Sequence, residues 1–254
     1  MARIIAIANQ KGGVGKTTTA VNLAASLAAA EKKTLLLDMD PQGNATSGVG
    51  IDPNQVERTV YDALLGAVEA DKLLLATPLE QLSLMPANPD LIGAEVELIS
   101  ALARENKLKG ALAEIDGRFD YILIDCPPSL GLLTINALTA ANQVLVPLQC
   151  EYYAMEGLSQ LLNTVRLIQR ELNPGLQVLG ILLTMFDARN NLSHQVSEQI
   201  REHFSAQVFE TMIPRNVRLS EAPSHGLPAL LYDISSRGAL AYLDLAREII
   251  RQEQ

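Results

Sequence analysis

Cysteine occurs only twice in this sequence, as Cys126 and Cys150, and neither belongs to a Cys-x-x-Cys pair or a Cys/His cluster. That scarcity excludes a disulfide framework and a structural zinc site, and makes a reducing cytoplasm the expected compartment. No apolar run approaches the roughly 20 residues that span a bilayer. The first residues lack the charged-then-apolar layout of a signal peptide, and "AREIIRQEQ" is not a basic amphipathic tail, so no membrane anchoring is expected. No Pro/Gly/Ser-rich linker and no internal repeat divides the chain, and one domain over 1–254 is expected. Positive charge is also in short supply: 20 Lys+Arg stand against 29 Asp+Glu, a net charge of −9. Taken alone, that balance argues against a nucleic-acid protein. Lysine is missing altogether after residue 150, where all nine basic residues are Arg, the side chain suited to bidentate phosphate contacts.

What is present is a globular composition, 48% apolar and 19% charged over 254 residues. Strands are expected at Ile4–Ala8, Thr34–Leu37, Leu82–Met85, Tyr121–Ile124, Gln143–Pro147, Val178–Thr184 and Val208–Ile213. Runs such as "YILID" and "VLGILLT" are apolar without alternation, the pattern of strands covered on both faces. Between them, "KTTTAVNLAASLAAA" and "NLSHQVSEQIREHF" repeat apolar residues at helical spacing. Strand–helix alternation with short connections predicts an α/β, doubly wound, mostly parallel sheet with helices on both faces.

The stretch "NQKGGVGKTTTA" lies between the first strand and the first helix. Its glycines, Gly12, Gly13 and Gly15, permit left-handed φ and let successive N–H groups line a concave anion site. The helix beginning near Lys16 adds its positive N-terminal end at the same point. Lys16 is placed to reach β- and γ-phosphates, and the Thr17 hydroxyl to bind Mg²⁺. One position departs from the ordinary pattern, since Gln10 stands where the first glycine is expected.

A second lysine, Lys11, opens the loop. The run Lys11-Gly12-Gly13-Val14-Gly15-Lys16-Thr17-Thr18 resembles the deviant Walker A box of the ParA/MinD family of P-loop ATPases. The resemblance implies an ATP site with Mg²⁺ and an ATP-dependent homodimer, in which Lys11 reaches across to the partner's nucleotide. It extends along the chain through "DMDPQGNAT", "LIDCPPSLG", "TMFDAR" and "IPRNVRLSEAPSHG", the last being most similar to Soj-type chromosomal ParA proteins.

Alternation places Asp38 and Asp40 on one side of a strand end. By the resemblance, Asp40 orients the attacking water and Asp38 supports Thr17 and Mg²⁺. Asp125 ends an apolar strand as a Walker B carboxylate, and Pro127–Gly131 fits the second switch of the family. A [4Fe–4S] centre, as in the related nitrogenase iron protein, is not expected, because Cys126 and Cys150 do not match its pattern. Pro214 and Asn216 match the base-contacting segment, with Met185 a further neighbour of the adenine. Arg189 and Arg218 match the DNA-contacting arginines of the family, and Arg215 accompanies them.

The resemblance therefore implies a cytoplasmic, nucleoid-associated ATPase that binds double-stranded DNA without sequence preference. A ParB-like partner would stimulate its hydrolysis. Net acidity does not forbid this, since non-specific affinity depends on local phosphate contacts. A MinD-like membrane-associated ATPase that positions the division site is the alternative. A non-hydrolysing scaffold is disfavoured by the joint presence of Lys11, Lys16, Asp40 and Asp125.

Overall fold

The computed structural model describes residues 1–151, 154–204 and 207–252. In chain order the first half comprises β1 (Arg3–Ile7), α1 (Lys16–Ala29), β2 (Thr34–Asp38), α2 (Asn44–Ser47), α3 (Val60–Leu65), β3 (Leu75–Ala76), β4 (Leu82–Met85), α4 (Leu91–Glu97), α5 (Lys107–Ala113) and β5 (Tyr121–Asp125). The second half comprises α6 (Leu132–Ala140), β6 (Gln143–Gln149), α7 (Ala154–Glu171), β7 (Gln177–Thr184), α8 (Asn191–Phe204), α9 (Val217–Glu221), α10 (Ala229–Tyr232) and α11 (Arg237–Arg251). The strands form one seven-stranded sheet in the order β3-β4-β2-β5-β1-β6-β7, parallel except for the antiparallel β3–β4 edge.

Strand alternation divides the core into two layers. In β1, Ile5 and Ile7 face α1 and α11, while Ile4 and Ala6 face the layer that contains α3 to α8. In β5, Tyr121 and Leu123 join the first layer, Ile122 and Ile124 the second. Both faces being covered explains why these strands read as unbroken apolar runs. Each such fully buried Leu or Ile contributes about 1.5–3 kcal/mol.

The expected strand at Val208–Ile213 does not form. The segment runs beside β7, with Phe209 N–H donating to Ile181 O (3.1 Å) and Ile213 N–H to Leu183 O (2.8 Å), but it makes only isolated bridges. Two further donors are taken from another direction: the Glu248 carboxylate of α11 accepts from the Glu210 and Thr211 N–H groups at 2.8 and 3.0 Å. A helix carboxylate thus replaces a strand ladder. The short β3 edge, in turn, lies outside the expected strand set.

Register brings the functional segments to one edge. Asp125 of β5 pairs with Ile7 of β1 on one side and Asp38 of β2 on the other. The loop after β1 and the carboxylates ending β2 and β5 therefore converge at the carboxyl ends of the parallel strands, where α/β sheets hold ligands.

Candidate active site

The loop after β1 is a cradle. Gly13 and Gly15 have φ of 75° and 89°, conformations that a side chain would strain. A Cβ at Gly12 or Gly13 would meet no atom within 4 Å, so neighbouring side chains leave this part of the loop free. Gly15 is the N-cap of α1, and no side chain caps the helix or places acid in its first turn. The N–H groups of α1 and its positive end are left to an outside anion.

Side chains from other strands hold this loop. Asn9 donates to Pro147 O at the end of β6 (2.7 Å) and accepts from Lys11 N–H (3.0 Å). Thr184, ending β7, donates to Val14 O (2.8 Å). Both anchors lie inside motif stretches, Asn9 at the start of "NQKGGVGKTTTA" and Thr184 at the start of "TMFDAR", but no sequence signal assigned either a role.

Lys16 is buried, and its ammonium donates to Lys11 O (3.1 Å) across the loop. Burial lowers its pKa, against the opposing pull of Asp125, Cys126 and Asp40. Asp125 lies behind it, wholly buried, and neither carboxylate oxygen has a hydrogen-bond partner of ordinary geometry. Burial raises the Asp125 pKa well above the usual carboxylate range and Asp38 adds to the effect, while the facing Thr17 hydroxyl and the Lys16 charge act the other way. An orphaned buried carboxylate opposite a Thr hydroxyl and a Lys is an incomplete constellation, and a divalent cation would complete it.

Asp38 is engaged by its own turn and the helix after it. One carboxylate oxygen accepts from Asp40 N–H (3.1 Å) and the other from both Thr46 N–H and Thr46 Oγ (each 2.8 Å). Thr46 Oγ also accepts from Ala87 N–H after β4 (3.1 Å). The group is a strut that fixes α2 and the Asp40 backbone, its oxygens consumed by local donors; burial raises its pKa to about 6. Asp40 is buried on the same turn, with one oxygen accepting from Gln42 N–H (3.0 Å).

Lys11 does not enter the cradle. Its ammonium forms an ion pair with Glu151 of the same chain, just after β6. Among the described residues no group of three His, Cys, Asp or Glu side chains forms a protein-only metal cage. A phosphate-bound Mg²⁺ requires none, since it keeps waters and takes substrate oxygens.

The later loops form a cleft of about 510 Å³ lined by Phe186, Arg189, Pro214, Arg215, Asn216 and Arg237 among others. Asn216 commits its side-chain oxygen to capping α9, accepting from Arg218 N–H (2.9 Å), which leaves its amide N–H groups for a ligand. Met185 adopts a positive φ of 50° and approaches the cradle near Gly15. Arg189 lies on the cleft and grips Asp187 with two bonds of 3.0 Å, which holds the Asp187 carboxyl down at about 2. Arg218 is not part of that lining; it pairs with Glu221 (2.7 Å) and Asp233 (3.3 Å).

Comparison with known proteins agrees with this geometry. A family model described as an AAA domain matches residues 2–178. The chain is 60% identical over 251 residues to the chromosome partitioning protein ParA of Myxococcus xanthus, covering 99% of this chain and 89% of that one. It is 60% identical over 249 residues to the sporulation initiation inhibitor protein Soj of Bacillus subtilis, covering 98% of each. The chain belongs to the ParA/Soj branch of the ParA/MinD family of P-loop ATPases. A solved Mycobacterium smegmatis protein titled cobyrinic acid a,c-diamide synthase, with bound ADP and magnesium, shares the fold at a TM-score of 0.88 and 42% identity, covering 100% of this chain and 96% of that one. As a ParA/Soj-type ATPase this chain works on ATP with Mg²⁺, and its open glycine cradle, uncapped α1 and orphaned Asp125 fit that pair.

Proposed function

We propose that this ATPase is the nucleotide-timed switch of a DNA-partitioning system. ATP closes two copies into a dimer that holds double-stranded DNA without sequence preference, and a ParB-like partner ends that state by stimulating hydrolysis. The observation that carries the reading is the position of Lys11. Lys16 already supplies the cation inside the cradle, while Lys11 stands at its mouth, partly exposed and paired outward with Glu151. A second lysine in that place serves a neighbouring subunit's phosphates better than its own. Cations supplied in trans are worth about 10³–10⁵ in turnover in other nucleotide hydrolases.

Within one subunit, Gly12, Gly13, Val14, Gly15, Lys16, Thr17 and Thr18 hold the phosphates, and Lys11 of the other subunit completes the set. Thr17 and Asp125 would hold the metal, supported by Asp38, which also keeps Asp40 in place to orient the attacking water. Once bound, Mg²⁺ would supply neutralisation of the phosphate charge. Pro214 and Asn216 take the adenine. Arg189 and Arg218, doubled by dimerisation, take DNA phosphates. The site of action is the cytoplasm, on the nucleoid; no helix among the described residues is long and apolar enough to cross a membrane. Co-sedimentation with DNA and with anionic liposomes, each with ATP and with ADP, tests the reading. ATP-dependent DNA binding that Lys11→Ala abolishes is the expected result. ATP-dependent liposome binding without DNA binding would transfer the chain to the membrane-associated type.

A further inference from the structure

The segment that carries Pro214 and Asn216 is longer than the strand it runs beside. Phe209 N–H donates to Ile181 O and Ile213 N–H to Leu183 O, so the segment spends four residues where β7 advances by two. In an unbroken parallel ladder the donor to Leu183 O would be Thr211. Two residues are therefore looped out, and Glu210, Thr211 and Met212 form an arch of the bulge type.

Both feet of the arch are fixed. At the near foot, Phe209 is buried against Gly180, where a side-chain carbon would overlap its ring, and Arg201 of α8 donates to Phe209 O (3.1 Å). At the far foot, Phe186 N–H donates to Ile213 O (3.0 Å) and Arg215 N–H to Phe186 O (3.1 Å), one bond on each side of Pro214. The crown is held from outside by Glu248, whose two oxygens accept separately from Glu210 N–H (2.8 Å) and Thr211 N–H (3.0 Å). Its helix, α11, is joined in turn to the helix of the phosphate cradle, where the buried Tyr242 and Thr19 hydroxyls meet at 3.1 Å.

Glu248 thus occupies the donor that a regular ladder would claim. Without it, Thr211 N–H can compete with Ile213 N–H for Leu183 O. That slip of two residues keeps every side chain on its own face, yet moves Pro214 and Asn216 by roughly 6–7 Å along the strand. We propose that Glu248 is a positioning residue for the nucleotide base: it holds the arch open and so sets the register of Pro214 and Asn216. This rests on the reading that those two residues take the adenine.

The test compares two probes on the full-length chain by calorimetry with Mg²⁺: ADP, which carries the base, and pyrophosphate, which does not. Glu248→Gln and Glu248→Ala are measured beside Arg247→Ala, an exposed neighbour on α11 that pairs with Asp244. Asn216→Asp, which keeps the oxygen capping α9 but loses the amide donors, tests the base reading separately. Thermal melts confirm folding, and Glu248→Gln, equal in size and still able to accept one N–H, remains informative if Glu248→Ala melts early. The expected result is an ADP dissociation constant raised at least about fivefold in the Glu248 variants, because a part-buried N–H loses its acceptor. Pyrophosphate affinity should stay at the parent's value, with Arg247→Ala like the parent for both probes. Equal weakening of ADP and pyrophosphate would make Glu248 a general support of the fold and overturn the proposal. Unchanged ADP affinity in the Glu248 variants, with Asn216→Asp weakened for ADP alone, overturns the proposal and leaves the base reading standing. Unchanged ADP affinity in Asn216→Asp refutes the base reading, and the positioning role with it.

Discussion

The Lys11 ammonium is ion-paired with Glu151 of its own chain, 140 residues away in sequence. Under the trans role proposed for Lys11, this in-chain pair opens when the second subunit arrives. The side chains are 43% and 46% exposed, so the pair is worth no more than about 1 kcal/mol. Glu151→Gln should therefore lower the ATP concentration that gives half-maximal dimer by up to about fivefold. Lys11→Ala should bind ATP but fail to form a productive dimer. Sedimentation velocity over an ATP titration measures both, and a Lys11→Ala variant that dimerises and turns over ATP normally would remove the trans role.

Lys16→Ala removes the cation at the centre of the cradle. Charged hydrogen bonds of this kind are worth about 1.5–3 kcal/mol, so ATP affinity should fall by roughly 10- to 150-fold. Calorimetry decides the matter, and unchanged affinity would mean that the phosphates lie elsewhere.

Asp40→Ala should separate binding from hydrolysis. The cradle is untouched, so ATP should bind and the dimer accumulate, eluting early in size exclusion. Turnover should drop by about 10²–10⁴-fold, the usual worth of a positioned acid–base group. Turnover at the parent's rate would contradict the assignment.

The Asp38 carboxyl titrates at about 6 when folded, above its ordinary 3.8. Between those values the unfolded chain has released the proton while the folded chain retains it, so this group's contribution to stability falls as pH rises. Asp125 is shifted in the same direction. In urea unfolding, the stability difference between parent and Asp38→Asn should shift against the parent by about 2 kcal/mol from pH 4 to pH 6. A difference that does not change with pH would refute the shift. Because the same carboxylate holds Thr46 and the Asp40 backbone, the variant should also lose turnover while keeping ATP affinity.

DNA affinity should decline steeply with salt. Two arginines in each of two subunits neutralise roughly four phosphates, a log–log slope near −3.6. Arg218→Ala should reduce its magnitude by about two units for every sequence alike. Glu221→Gln, which frees Arg218 from one in-chain partner, should strengthen binding. Arg189→Glu and Arg218→Glu should lose DNA while keeping ATP and the dimer. Anisotropy across a salt series with ATP measures all of these, and an unchanged slope in both charge reversals would place the DNA surface elsewhere.

The sequence by itself determined what is local. Glycines at 12, 13 and 15 demand a turn whatever surrounds it, and the runs of β1, β2, β5 and β7 demand two-sided cover. Helical spacing located α1 and α8, the latter spanning Asn191–Phe204 as expected. The glycine loop after β1, and Asp38 and Asp125 at the ends of β2 and β5, were legible because each closes or follows a short apolar run. Tertiary structure decided the partners of polar groups, because a hydrogen bond has no periodicity in sequence. It gave Asp38 to Thr46, and Lys11 to Glu151 across the sheet edge. It let Glu248, on the final helix, take the donors of Glu210 and Thr211, so an apolar run with strand composition never entered the ladder. It also left Ile92, Val96 and Ile99 uncovered, since which side of an apolar helix meets the core depends on what the sheet already presents to it.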